Sequence, residues 1–377
     1  MTVVDAFDWG LLEPAGAAAQ GTGDDTVLTA MVETEAALVA AWDDLDGVAS
    51  SVSFDSGALD RGRLVARART DGVPIVALVE QLREQAGTHA DRVHRGATSQ
   101  DIVDTALMLV SRDALAAARG RLTAAAGELA ARAREARSTP LQARTLTQPA
   151  EPTTFGALLA GWLDVVISAG QALDAVRYPV QLGGAVGTGA AVLRSGRSLD
   201  VLDALRASLA GRLALDNPGR AWHTDRAPAL AVAGAAAQVA AAGGRIGRDL
   251  ALAARDGYLR PATGGASSAM PHKKNPVDAV LLTANGLRAP GLLATLHTAA
   301  LSYDARPAGE WHAEWQAWRG LLRLASENAV VLAHAVPDAT IVASDVPRPE
   351  SMDAAALAAA EHAVDAVLAR HERTATL

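Results

Sequence analysis

Gly264-Gly265-Ala266-Ser267-Ser268-Ala269-Met270-Pro271-His272-Lys273-Lys274-Asn275-Pro276 separates two long alanine-rich segments, Ala227 to Tyr258 and Val277 to Ser302. A turn between two helices takes only about two to eight residues, so this stretch does something besides reversing the chain. Its glycines admit backbone conformations closed to other residues, and its serines, lysines and asparagine supply donors. No acidic side chain occurs from Gly264 to Val277. That is the composition of an anion-binding loop. Pro276 suits the first turn of a following helix, which places Asn275 as its N-cap and turns the positive end of the helix dipole toward whatever the loop holds.

Outward from the loop, helical periodicity dominates. From Asp101 to Arg137 the apolar positions Leu107, Val110, Ala114, Ala118, Leu122, Ala125 and Leu129 recur at intervals of three and four, which predicts one continuous helix of roughly 55 Å. Ala157 to Tyr178, Ala227 to Tyr258, Val277 to Ser302 and Glu310 to Ala335 read the same way, with Pro290 expected to kink the fourth. Ala231 to Gly244 is built of small residues almost all the way round. A helix apolar on every side must be surrounded, so copies of the chain are expected to pack as a homo-oligomer; one long bundle within a monomer is the alternative.

Ahead of the bundle, Thr26 to Asp46 and Val73 to Ala86 read as shorter amphipathic helices joined by the polar stretch Gly47 to Gly62. After it, Val346-Pro347-Arg348-Pro349 breaks the pattern and Met352 to Glu372 forms a last helix. Strand signals are scarce, and Asn285-Gly286 falls inside a helical pattern. The expected fold is all-α: a small N-terminal helical domain over residues 1–100, a central long-helix bundle over 101–343, and a short C-terminal helical segment over 344–377.

Of the 377 residues, 50% are hydrophobic but only 3% aromatic, so the core must be built from Ala, Leu and Val in closely packed helices. A net charge of −8 argues against a nucleic-acid surface, which needs clustered Lys and Arg. The absence of cysteine removes disulfides and thiolate metal sites, and the histidines form no metal-binding pair, so no structural metal is expected. The start, Met1 to Gly10, has no basic segment followed by an apolar one, and no run approaching 18 apolar residues free of charge stands out. No membrane segment is expected, and a soluble, cytoplasmic protein is.

Three further clusters carry chemistry. His94-Arg95-Gly96-Ala97-Thr98-Ser99-Gln100-Asp101 precedes the first long helix and sets Thr98, Ser99 and Gln100 as neutral donors at a helix start, with Asp101 and Asp104 complementing the dipole. A plain capping box explains all of it except His94. Ala143 to Gly156 brings Arg144, Thr145 and Gln148 to the start of the second long helix. Asp304 to Trp315 contains Arg306, Glu310, His312 and Glu314, while Trp311, Trp315 and Trp318, spaced four and three, read as one packing face.

The loop at Gly264 to Pro276 resembles the signature of the fumarase/aspartase superfamily, G-S-S-x-M-P-x-K-x-N-P, with Ala266 in place of a glycine. His94 to Thr105 resembles the superfamily's first block, H-x-G-x-T-S-x-D-x-x-D-T, and Ala143 to Gly156 resembles its second. Leu146 stands where adenylosuccinate and argininosuccinate lyases carry a catalytic histidine; an apolar residue there, and the phrase Gly309-Glu310-Trp311-His312-Ala313-Glu314-Trp315, resemble the 3-carboxy-cis,cis-muconate cycloisomerases. Gln181 to Thr188 and Trp222 to Arg226 also look like family phrases, and the likeness weakens at the C-terminus, where family members commonly continue through a fuller helical domain.

The resemblance implies an isomerase without cofactor, acting on a small polycarboxylate in a homotetramer whose active site is shared between subunits. It implies Ser267 and Lys273 as catalytic residues. It also implies a substrate-binding set of His94, Thr98, Ser99, Gln100, Arg144, Thr145, Gln148, Ser268, Met270 and Asn275. A lyase releasing fumarate and a non-catalytic helical oligomer are the other readings.

Overall fold

The computed structural model describes residues 21–49, 52–260, 264–266, 269–270, 272–338, 340–341 and 348–375. Ser267, Ser268 and Met1 to Gly10 therefore lie outside the described residues, as do Val346 and Pro347 of the break at Val346 to Pro349. Helices dominate: α1 (Asp24–Asp46), α2 (Arg61–Asp71), α3 (Ile75–Ala86), α4 (Ser99–Glu135), α5 (Phe155–Asp174), α6 (Ala190–Arg194), α7 (Leu199–Leu213), α8 (Ala227–Arg255), α9 (Val277–Ala299), α10 (Glu310–Asp338) and α11 (Ala354–Ala375). The strands are short: β1 (Pro140–Thr145) with β2 (Gln148–Thr154), β3 (Leu259–Arg260) with β6 (Thr340–Ile341), and β4 (Gly264–Gly265) with β5 (Asn275–Pro276), each pair antiparallel.

The chain divides into two compact units. The first holds the chain up to Ala114, Arg177–Val232 and Thr295–Arg319; the second holds Leu115–Val176, Ala233–Ala294 and Gly320–Leu377. In the first, α1 packs on α7, α2 on α3, and α6 on α7. The opening of α4 is buried on every side from Gln100 to Val110, so it is an enclosed rod. In the second unit, α11 packs against α5 and β2, and Arg370 ties it to Asp164 of α5.

The long stripe read along α4 is buried throughout, from Leu107 at 2% exposure to Leu129 at 0%. Within the second unit, α8 and α9 cross at a contact only glycine permits. A Cβ on Gly244 would stand 2.9 Å from the Cα of Gly286, and one on Gly286 would stand 2.7 Å from the Cα of Gly244. Asn328, fully buried, donates to the carbonyls of Ala240 (2.9 Å) and Leu282 (3.4 Å) and accepts from Asn285 (2.9 Å). The small residues of α8 are thus partly explained inside one chain: they let two backbones touch and let one amide join three helices.

Several sequence expectations are corrected. Arg61–Asp71 is a helix, so the polar stretch expected from Gly47 to Gly62 gives way to it at Arg61. It escapes periodicity because only Leu64 is buried, yet Asp60 caps it, accepting from the Arg63 amide at 2.9 Å. Helices α6 and α7 were not anticipated. Nor was the β1–β2 hairpin, which has no Asn-Gly turn and contains Pro149 and Pro152; Leu146 and Thr147 make its two-residue turn with φ of 49° and 70°. Helix α9 begins at Val277, so Pro276 and Asn275 lie ahead of its first turn and pair with Gly264 and Gly265 instead. Ala227 to Gly244 is an uncharged run of 18 residues after all, and α5, α8 and α9 are each long and apolar enough to cross a membrane by length and composition. Alanine produces most of that hydropathy in α8, and leucine, valine and isoleucine produce most of it in α5 and α9; the apolar windows of α5 and α8 are 56% buried within the protein, that of α9 only 22%.

Candidate active site

The first unit gathers a donor-rich cluster around Asp101, which is 0% exposed. Asp101 Oδ2 accepts from the amide of Thr98 (2.9 Å) and from that of Gly184 (2.9 Å); Oδ1 accepts from the Gly183 amide (2.9 Å) and lies 2.8 Å from His223 Nε2. One carboxylate therefore fastens the start of α4, the glycine-rich turn at 183–184 and the segment leading into α8. Gly183 must be glycine, since a Cβ there would come within 2.6 Å of the Ala221 side chain. With an acceptor opposite Nε2, that nitrogen carries the proton, and His223 Nδ1 is buried without a partner among the described residues.

One turn further along α4, Asp104 meets a buried ion cluster. Arg226 reaches Asp104 Oδ2 at 2.8 Å and Glu314 Oε2 at 2.6 Å, and Trp311 Nε1 donates to Asp104 Oδ1 at 3.0 Å. Burial opposes the charge on Arg226, but the two carboxylates outweigh it and hold the guanidinium above its ordinary value. Burial also raises the Glu314 carboxyl above its usual range, against the pull of Arg226. Trp318 donates to Ser111 at 2.9 Å, so the tryptophan face of α10 is a packing face, as its spacing predicts. Glu314 shares that burial, which spacing alone did not reveal.

The anticipated donors of the first block now have addresses. Gln100 is fully buried: its amide donates to the His223 carbonyl (2.9 Å) and to Asp104 (3.3 Å), and its carbonyl accepts from Arg306 Nε at 3.2 Å. Thr98 Oγ1 accepts from Arg306 Nη2 at 2.8 Å, which leaves its own O–H available to a ligand. Ser99, half-buried, is the first residue of α4. His94 has a φ of 64° and its Nδ1 lies 2.6 Å from Glu35 Oε1. Arg306 was singled out in the sequence only as part of a cluster. The structure makes it a clamp on two of the predicted residues, with donors left over for an anion.

In the second unit, Arg144, Thr145 and Gln148 stand exposed on the β1–β2 hairpin. Arg144 Nη1 donates to the Thr147 carbonyl at 3.2 Å, and Leu146 at the tip is 94% exposed. The loop from Gly264 to Pro276 is closed at its base by the β4–β5 pairing, where a Cβ on Gly265 would press to 2.3 Å from Val277. The Lys273 amide donates to the Met270 carbonyl at 3.0 Å, a tight turn that carries the lysine. Met270, His272, Lys273 and Lys274 are exposed and Asn275 is half-buried. Among the described residues, no side chain is paired with those of Lys273 and Lys274, and no His, Asp and Glu group suited to a metal occurs.

Both units therefore offer donors to an anion: a rigid, carboxylate-anchored set in the first and, in the second, a loop whose Lys273 and Lys274 side chains have no partner among the described residues. Residues 24–291 match the lyase family. The chain is 40% identical over 344 residues to nitrosuccinate lyase of Streptomyces davaonensis, covering 85% of this chain and 73% of that one. It is 34% identical over 308 residues to 3-carboxy-cis,cis-muconate cycloisomerase of Pseudomonas putida, covering 79% and 71%. The crystal structure of the 3-carboxy-cis,cis-muconate lactonizing enzyme from Pseudomonas putida superimposes with a TM-score of 0.80 at 32% identity, covering 88% of this chain and 77% of that one. This chain belongs to the lyase family, within the fumarase/aspartase superfamily of helical-bundle enzymes.

Proposed function

We propose that the protein is a cofactor-independent cycloisomerase that converts 3-carboxy-cis,cis-muconate to 4-carboxymuconolactone in protocatechuate breakdown. A carboxylate oxygen of the substrate attacks its own conjugated system, forming the ring C–O bond and leaving charge spread over a neighbouring carboxylate as an enediolate. A proton added at the adjacent carbon completes the lactone. The attacking group is already attached, so proximity is supplied by the substrate. The protein has to stabilise the enediolate, and a fixed donor aimed at developing charge typically contributes a factor of about 10² to 10³. In this reading Ser267 transfers the proton and Lys273 supports it and the enediolate. Thr98, Ser99, His94, Arg144, Thr145, Gln148, Ser268, Met270 and Asn275 hold the carboxylates, and Gln100 holds Arg306, which in turn reaches Thr98. The protein works as a cytoplasmic homotetramer with active sites shared between copies.

The observation that carries this reading is Leu146: the position at which amine-releasing lyases of the superfamily resemble one another by a histidine holds a side chain unable to move a proton. A second reading has its own support. The 40% identity to a nitrosuccinate lyase over 85% of the chain favours elimination from a 2-substituted succinate with release of fumarate, through the same type of enediolate. Purified protein offered 3-carboxy-cis,cis-muconate should abolish the diene absorbance, and Ser267→Ala should not. Release of fumarate from a nitro-substituted succinate without any loss of the diene would replace the first reading by the second. Undiminished turnover by Ser267→Ala would remove Ser267 from the chemistry. A single peak of monomer mass in light scattering would remove the tetramer.

A further inference from the structure

One face of α1 acts as a rail for the segment that leads into α4. Glu35, Trp42, Asp43 and Asp46 lie at intervals of seven, eight and eleven residues, which brings them to one side of a helix. Trp42 Nε1 donates to the Arg95 carbonyl at 2.9 Å, and the Arg95 guanidinium sits 3.9 Å above the Trp42 ring. Asp43 pairs with Arg92, and Asp46 takes Arg95 at 2.6 Å. These three residues fasten the backbone and the arginines. Glu35 does something different. It is 0% exposed, and its only partner among the described residues is His94: Oε2 accepts the His94 amide at 3.1 Å and Oε1 lies 2.6 Å from His94 Nδ1.

Two constraints meet at that pair. A histidine with a φ of 64° is held in a region few residues other than glycine occupy, and the carboxylate grips both its backbone and its ring there. An ionised carboxylate only accepts, so the ring nitrogen facing it must carry the proton. The other nitrogen, Nε2, has no partner among the described residues, and the imidazole is 17% exposed. We propose that Glu35 is a positioning residue: it fixes His94 as the Nδ1–H tautomer and orients Nε2 toward the substrate carboxylate. The proposal deepens the reading of His94 as a substrate contact and rests on it. A buried carboxylate with no other partner is costly unless it is held by such bonds, and a structural clamp alone would not require the imidazole to be one of them.

The test has an arm that needs no substrate. Nitrogen NMR of protein labelled at histidine, with the His94 signals assigned by their loss in His94→Gln, should show Nδ1 protonated in the unaltered protein. Glu35→Leu should lose that signature, and Glu35→Gln, which keeps an acceptor, should retain it. In the diene assay Glu35→Leu should raise KM by about tenfold or more with little change in kcat, as expected for loss of a hydrogen bond made equally in ground and transition states. Glu35→Gln should restore most of the difference. An unprotonated Nδ1 in the unaltered protein would overturn the proposal whatever the variants do. So would a Glu35→Leu variant with unchanged tautomer and unchanged KM. If the unaltered protein leaves the diene untouched, the cycloisomerase reading fails by itself, and the ring-nitrogen measurement still decides whether Glu35 sets the tautomer.

Discussion

The start of α4 and the loop between α8 and α9 are both crowded with hydrogen-bond donors, yet they are organised in opposite ways. At the start of α4, Asp101 and Asp104 are wholly buried and the donors around them are engaged by the protein itself. In the loop, the Lys273 and Lys274 side chains are exposed and meet no partner among the described residues. A buried network fixes geometry because an unpaired member would be penalised in the low-dielectric interior. An exposed cation has no such commitment and can move to a ligand. The first region is therefore expected to govern stability and the second to govern turnover, and three measurements would break or sharpen that contrast.

The largest effect should come from Arg226→Met. It leaves Asp104 and Glu314 buried and facing each other without the cation between them, and loss of one partner from a buried cluster costs about 3–5 kcal/mol. Urea unfolding would measure it, and a loss below about 1 kcal/mol would mean that the cluster does not secure this part of the fold. Lys273→Ala should do the reverse. Turnover should fall by about 10² to 10³ while unfolding stays within about 0.5 kcal/mol, the usual range for a surface change. A matching fall in stability would erase the distinction between the regions.

The smallest effect is a pH dependence at Glu314. Because burial raises its carboxyl, the folded protein binds this proton more readily than the unfolded chain does. Stability from this group is then complete below the unfolded value of about 4.3 and is lost as pH rises through the folded one. The margin in Tm between the unaltered protein and Glu314→Gln should narrow as pH is raised from about 4 toward neutrality. A margin independent of pH would show that Glu314 keeps an ordinary affinity for its proton.

Legibility in the sequence followed the range of the interactions concerned. The long helices could be read because their apolar spacing is local, and the stripe on α4 is buried where it was expected. Helix α2 was missed because it buries only Leu64, and the β1–β2 hairpin was missed because Leu146 and Thr147 adopt positive φ without the residues that usually announce such a turn. Among the candidate site residues, Thr98 and Lys273 were nameable from motif wording. Arg306 and Glu314 were not, since their partners, Thr98 and Arg226, lie 208 and 88 residues away. Nor could Glu35 be found, 59 residues from the histidine it holds.

The sequence by itself determined that the protein is a helical bundle with an acid-free, lysine-bearing loop and a second donor-rich block at a helix start, because spacing and composition act over a few turns. Tertiary structure alone decided which of those donors are engaged and which remain available. That depends on carboxylates brought from distant parts of the chain, and burial converts each such encounter from a weak surface contact into a fixed constraint.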